Sequence, residues 1–532
     1  MKYYGTLKEL GYKFNTSGDT EVLLYSYLNW GCDFLEHVDG MYAVAVYDIE
    51  KNLLYLFRDR YGEKPIYYSL TNECLYFSSE LKPLLQQPNF KKTLNEQSVS
   101  NYLAYGFVFG AKTLVDGICK VNNSSFVKLD LSSGTLQEFE YSTQSKHFCK
   151  KEYEKVNFDQ LFSDVVESRL SADVPAGVLL SGGLDSSLVA VKAAQIQPNI
   201  QTFNIRFKDN VMSNDDANNA VIISKAIKSN HHEIIIDDMD VEQVNTILES
   251  FDEVINDPSI IPTYSIYKEV AKHCKVVLGG DGADEFFGGY RRYYKAAIIG
   301  GINNSVPNFL KVVCNSFTKF CIPKGISGRH FALMSFAENF DRAVSLPTLF
   351  EINEIQKLIN SKFILSGYNE ISKKNNDDKF LDLMMHFDQQ YYLPNDILLK
   401  VDRCSMMNSI EARSPFLSPE IESFAKKLSS TAKVKGGYGK LFLREYGKSV
   451  LPKSYQFNAK NGFSPPFSKW FSVGNEMRQH AEKTLLSTSC RFDNQFVKEL
   501  FNKLDGGYNL SRKLMALYFL EIWRSKNNIS WF

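Results

Sequence analysis

The spacing of apolar positions changes partway along the chain. Up to about residue 140 they fall in short runs. MYAVAVYDIE, LLYLFRD, KPIYYSL and LYFSSE are aromatic and β-branched, of strand length and separated by turn residues, which predicts β-strands. Ahead of them SGDTEVLLYSYLNW has a helical pattern, with Ser17 or Asp19 placed to cap it. This part reads as α+β. Residues 136–154 (LQEFEYSTQSKHFCKKEYE) are polar and irregular, and the domain boundary is placed there, giving units 1–150 and 151–532. Beyond it GVLL leads through a Gly/Ser loop into the helix-like SLVAVKAAQ. TFNIRF, a helical stretch ending near Asn230, and HEIII follow, and KVVLGG later runs into an acidic glycine turn. Strands alternating with helices predict a parallel, doubly wound α/β sheet. From about 290 to 530 the pattern is mainly helical.

Composition narrows the class without naming a chemistry. A chain of 532 residues with 44% hydrophobic and 14% aromatic content can bury large cores, which argues against wholesale disorder. Lys plus Arg and Asp plus Glu are 61 each, so no net charge draws the chain to nucleic acid or to an anionic membrane. A local basic groove stays open. The nine cysteines are scattered, odd in number and without CxxC or Cys/His spacing, which fits reduced, packed thiols. Adjacent His231 and His232 have no third ligand nearby and read as structural. No apolar run is long enough to span a bilayer, and MKYYGTLKELGYKF is not a signal peptide. The expectation is a cytoplasmic protein with no nucleic-acid or membrane partner.

Candidate chemistry concentrates in two turns. Ser181-Gly182-Gly183-Leu184-Asp185-Ser186-Ser187 lies between a buried strand and a helix. Its glycines admit a ligand close to the backbone, and the helix that follows offers free N–H groups and a positive dipole end. The lysine of a Walker A loop is absent. An ordinary Gly/Ser turn is the bland alternative, and the strand–loop–helix context weighs against it. The second turn, in VVLGGDGADEFFGGY, carries Asp281, Asp284 and Glu285 at the end of a buried strand. Ligands of open α/β sheets bind at such strand ends. Carboxylates beside a phosphate loop suit Mg2+, which prefers oxygen ligands and bridges one or two carboxylates to substrate phosphates. Asp185 and Asp284 are assigned to it, against the alternative of a solvated acidic loop. Asp257-Pro258-Ser259, with Thr263, reads as a turn and helix cap.

These motifs support a resemblance. SGGLDSS resembles the pyrophosphate loop (PP-loop) of the ATP pyrophosphatase superfamily. DPSIIPT, VVLGGDGADEFFGGY, LPNDILLKVDRCSMMNSIEARSPFL, GKLFLRE and KNGFSPPFSKWF occur in one order. In that order they resemble the synthetase domain of glutamine-dependent asparagine synthetases, over roughly residues 155–530. The resemblance implies small-molecule substrates (aspartate, ATP, and glutamine or ammonia), a β-aspartyl-AMP intermediate, Mg2+ and a homodimer. It places Ser181, Gly182, Gly183, Ser186 and Ser187 on pyrophosphate, Leu179 and Ile205 against adenosine, and Gly279 and Gly280 where the nucleotide needs room. Lys440 aligns with the family lysine at the α-phosphate, against the alternative of an exposed helix lysine. Asp281 holds the family's catalytic acidic position; β-lactam-forming relatives carry tyrosine there. Asp402, Arg403, Glu411 and Arg413 read equally as an ion network facing the site or as a salt-bridged helix surface. Ser418 stands where the family often has Asp, and Arg206 where Gly is common.

The N-terminal part resembles the family incompletely. SGDTEVLL, DGMYAVAVYD, LFRDRYGEKPIYY and FSSELKPLL resemble the later part of its N-terminal-nucleophile α+β glutaminase domain, a type 2 glutamine amidotransferase. Family members begin Met-Cys, whereas this sequence begins Met1-Lys2. Asp19 matches the acidic residue that holds the glutamine amino group and is expected to be a relic of that site. A misassigned start, a truncated gene and an ammonia-using enzyme are the three explanations. An incomplete chain is favoured, because the remnant begins inside a sandwich whose strand edge would lie free. Two other functions compete: amidation of another carboxylate, such as a sugar uronate in polysaccharide synthesis, and a non-catalytic scaffold. The intact SGGLDSS, Asp281, Asp284 and Lys440 argue against the scaffold.

Overall fold

The structure, a computed structural model, describes residues 4–71, 74–141, 157–207, 215–236, 240–322, 329–337, 348–360, 380–457 and 467–532. The N-terminal part holds two antiparallel sheets. One contains β1 (Ala43–Asp48), β2 (Leu53–Arg58), β6 (Ser125–Asp130) and β7 (Thr135–Glu140), in that order; the other has β3 (Tyr67–Leu70) between β4 (Leu75–Ser78) and β5 (Cys119–Lys120). Side chains alternate across β2. Tyr55 and Phe57 pack with Tyr27 and Phe34, from the helix Asp19–Trp30 and the turn after it, while Leu56 packs with Ile66, Tyr68 and Val121. The four predicted strands are β1 to β4. β7 was not predicted, and its last residues fall within the stretch read as irregular. It is an edge strand exposed at five of its six positions, so it shows no apolar alternation. The helix cap also differs from expectation. Gly18 occupies the cap position and Asp19 begins the helix, while Glu21 accepts hydrogen bonds from the amides of Asn15 (2.9 Å) and Thr16 (2.8 Å).

The second part is built on a five-stranded parallel sheet. β8 (Ala176–Leu179), β9 (Gln201–Phe207), β10 (Asn230–Ile236), β11 (Val276–Leu278) and β12 (Glu411–Arg413) lie in the order β10-β9-β8-β11-β12. Val178, Val276 and Leu278 share a core with the helices Phe158–Leu170 and Leu184–Ile196; Phe203, Ile205 and Val277 share another with Val241–Ser250 and Ile260–Val270. Both faces are therefore covered, as a parallel sheet requires. The chain leaves β8 toward β9 on one side and returns to β11 on the other. The gap beyond the carboxyl ends of β8 and β11 is thus the topological switch point, where such sheets bind ligands.

The predicted helical remainder is present. Phe380–Phe387 runs through a π-helical stretch, Asp388–Ile397, into Leu398–Met406. Pro394 lies in the widened part and has no N–H to contribute to a ladder. The expected boundary falls largely in 142–156, outside the described residues. On either side the two parts share one core, in which Tyr102 donates to the Ala516 carbonyl at 2.9 Å. Ion pairs Lys64–Asp402 (2.8 Å), Lys120–Glu253 (3.0 Å) and Arg60–Glu422 (3.2 Å) join them.

Candidate active site

The loop after β8 is shaped by the residues behind it. Gly182 has φ +83°, and a Cβ there would collide with the Asp216 carbonyl at the start of a neighbouring helix. The Tyr455 hydroxyl donates to the Gly182 carbonyl at 3.0 Å. Ser181 and Ser186 pair through their hydroxyls at 2.9 Å, and Ser186 also donates to the Gly183 carbonyl at 3.1 Å. Gly183 caps the thirteen-residue helix Leu184–Ile196, so Asp185 and Ser186 sit in its first turn, where unpaired amides and the dipole favour an anion. Ser187 is fully buried beneath them. Leu179 ends β8 beside the loop, while Ile205 lies two residues before the end of the adjacent β9 and is buried in the core.

The acidic turn lies against this loop. A Cβ on Gly280 would stand 2.9 Å from Asp185 Cβ, and one on Gly279 would stand 2.8 Å from Asp281 Oδ2. After Gly282, at φ +87°, the short helix Ala283–Phe287 begins and carries Asp284. Lys440, 255 residues beyond Asp185, arrives from the opposite side. It has φ +54°, caps the helix Leu441–Val450 and is only 6% exposed. Its ammonium bonds Asp185 Oδ2 and lies 2.7 Å from Asp284 Oδ1. Burial alone would lower its pKa, but the two carboxylates outweigh burial and keep it charged, above the ordinary lysine value. Gly289 backs this triad, and any side chain there would strike Asp284 and the Lys440 stem.

A second charged group stands behind Asp281. Lys400 is 2.6 Å from Asp257 Oδ2 and 2.7 Å from Ser259 Oγ. Asp257 also forms the predicted turn, accepting from the Ser259 amide at 2.8 Å. Burial raises Asp281, the carboxylates of Asp185 and Asp284 raise it further, and Lys400 opposes them. Burial and Asp284 likewise push Glu285 up to about 7, and Tyr290 donates to it at 2.6 Å. The sequence reading assigned no role to Lys400, Gly289 or Tyr290, although all three lie within the quoted motifs; their pairing depends on distances between remote segments.

Other expectations resolve differently. Asp402 and Arg403 are buried, but they face the N-terminal part. Asp402 meets Lys64, and Arg403 meets Asp252 at 2.9 Å and the Ser79 carbonyl at 2.8 Å. Glu411 and Arg413 pair with each other at 2.7 Å. Asp19 is exposed at a helix start in the N-terminal part. His231 and His232 bond Thr202 and Gln201. Arg206 pairs with Glu233. Ser418 caps Pro419–Lys427, accepting from the Ile421 amide at 3.1 Å, a task Asp would also perform. Most of KNGFSPPFSKWF lies outside the described residues. Among these, no group of three or more His, Cys, Asp or Glu could hold a metal alone, and no helix is long and apolar enough to cross a membrane.

Fold and site together define a two-part enzyme, with a glutaminase-type sandwich joined to a doubly wound domain that carries an anion loop at its switch point. Residues 157–525 match the family model of asparagine synthase and residues 2–141 that of the glutamine amidotransferase domain. The chain belongs to the asparagine synthase family of ligases. It is 28% identical to glutamine-hydrolysing asparagine synthetase 1 of Bacillus subtilis, over 98% of this chain and 83% of that protein. A putative asparagine synthetase 2 of Methanocaldococcus jannaschii is 31% identical over 75% of this chain and 79% of its own length. Asparagine synthetase B of Escherichia coli is 30% identical over 54% and 49%.

Proposed function

We propose that the chain makes asparagine from aspartate and ATP, with nitrogen from glutamine in the intact family and from ammonia if this chain acts as it stands. One observation carries the reading: Asp185, Asp284 and Lys440 converge at the mouth of the SGGLDSS loop. Similarity to several asparagine synthetases supports aspartate as the acceptor. The aspartate side-chain carboxylate attacks the α-phosphorus of ATP, and pyrophosphate leaves. Ser181, Gly182, Gly183, Ser186 and Ser187 hold the departing pyrophosphate, and Lys440 offsets charge at the α-phosphate. Leu179, Ile205, Gly279 and Gly280 shape the adenosine side. Ammonia then attacks the acyl carbon, its proton passes to the Asp281 carboxylate, and AMP leaves. Burial holds the Asp281 pKa above the ordinary aspartate value, which makes its carboxylate a stronger proton acceptor than an exposed one.

Asp185 and Asp284 fit Mg2+ as well, because both already reach one common cation, the Lys440 ammonium, and substrate phosphates would complete the shell. Bound there, the metal would neutralise phosphate charge. The test is pyrophosphate release from Mg-ATP, with ammonia and glutamine run in parallel and Asp185→Ala as control. The reading expects turnover that needs aspartate and ammonia and is lost in the control. Turnover independent of aspartate would move the acceptor to another carboxylate, such as a sugar uronate.

A further inference from the structure

Arg292 stands beside the crevice with part of its hydrogen-bonding capacity unused. It lies three residues after Gly289, which packs against Asp284 and the Lys440 stem. Three residues of chain span at most about 11 Å. Its guanidinium carbon lies over two rings, 4.5 Å from the centre of Tyr290 and 4.3 Å from that of Tyr392. Tyr290 is the phenol that donates to Glu285 at 2.6 Å. Burial raises that phenol well above its ordinary value, Glu285, Tyr392 and Asp284 raise it further, and Arg292 opposes them. The guanidinium and the Asp284 carboxylate are thus within electrostatic reach of one hydroxyl.

Lys440 and Lys400 are already engaged, the first by Asp185 and Asp284, the second by Asp257 and Ser259. Arg292 meets the buried Asp388 through Nε, at 2.8 Å. Its Nη2 is buried and has no hydrogen-bond partner among the described residues, while the side chain as a whole is 40% exposed. With Nε on an acid and two rings against its carbon, the guanidinium is fixed in orientation and leaves its outer fork for a ligand. Such a fork matches a carboxylate bidentately.

The proposed acceptor has need of this group. Its side-chain carboxylate must reach the α-phosphorus, while its α-carboxylate, equally charged, must be held apart from the acidic turn. A uronate carries no second carboxylate. We propose that Arg292 binds the α-carboxylate of the acceptor and so selects aspartate over acids that carry only the reacting carboxylate. The inference rests on the reading of aspartate as the acceptor.

Calorimetric titration of the full chain, loaded with Mg2+ and α,β-methylene-ATP, measures acceptor affinity without turnover. β-Alanine, which is aspartate without its α-carboxylate, is the comparison. The wild type should bind aspartate at least about tenfold more tightly than β-alanine. Arg292→Lys keeps a cation beside Asp388 but loses the fork. It should remove most of that preference by weakening aspartate, with β-alanine and nucleotide affinities unchanged. No preference in the wild type would overturn the inference, as would a preference that the variant leaves intact. An equal loss for both acceptors would mark a structural role and overturn it too. Weaker nucleotide binding with the preference intact would assign the guanidinium to phosphate instead. Pyrophosphate release, run alongside, judges the reaction separately: aspartate that binds through Arg292 and is not turned over would sink the proposed reaction and leave the binding assignment standing.

Discussion

Replacing Lys400 by methionine keeps most of the side-chain length and removes the ammonium. Native Lys400 and Asp257 are 10% and 12% exposed and 2.6 Å apart. Burial would raise the Asp257 pKa, but Lys400 overrides it and holds the group at about 2, against an ordinary 3.8. That difference corresponds to about 2.5 kcal/mol at 1.36 kcal/mol per pKa unit. A depressed carboxylate contributes this stability at every pH above its unfolded pKa and loses it as pH falls toward 2. In the variant the Lys400 attraction is gone and only the hydrogen bonds from Ser259 still oppose burial, so the expected cost near neutrality is about 3–5 kcal/mol. The sign of the pH dependence then reverses. As pH drops from about 8 to about 5.5 the stranded carboxylate takes up a proton, and the penalty of the variant shrinks while the wild type keeps its ion pair. Adding Asp257→Asn should recover much of the loss. Urea unfolding of wild type, both single variants and the double variant yields the coupling, expected to be at least about 2 kcal/mol. Additive single effects, or a Lys400→Met penalty independent of pH, would refute the argument.

Two further outcomes follow from the same geometry. Gly289→Ala forces a methyl against Asp284 and Lys440, and should lower pyrophosphate release at least about 100-fold with little change in melting temperature; near-normal turnover would show that the triad need not be so tightly placed. Arg403→Met leaves Asp252, which burial already raises to about 6 with the guanidinium beside it, as an unmatched buried acid. A cost of about 3–5 kcal/mol is expected. Because a raised carboxylate loses stability as pH climbs through its pKa, calorimetry should show a larger drop in melting temperature at pH 8 than at pH 5.

The parts of the site that were legible in sequence are those built from adjacent residues. SGGLDSS between an apolar strand and a helix already contains the glycine freedom and helix start that shape the loop. Asp284 follows its strand directly. Lys440 could be related to Asp185 only through motif resemblance, since nothing in spacing places residues 255 positions apart side by side. The charges near residue 402 show the limit of local pattern. Lys400 and Asp402 share a helix, yet two residues rotate about 200° around it, so one meets Asp257 and the other meets Lys64. β7 was illegible because an edge strand wet along its length carries no alternation.

Three of the ion pairs that join the two parts have a consequence for exchange between related genes. Asp402, Glu253 and Glu422 lie in the second part, while their cations Lys64, Lys120 and Arg60 lie in the first. Each part therefore carries counterions for the other. A recombinant that joined this first part to a foreign second part would inherit cations without acids, or acids without cations, at a junction that is largely dry. Such a chimaera could preserve every residue of the crevice and still fail to assemble, unless the matched pairs travelled together.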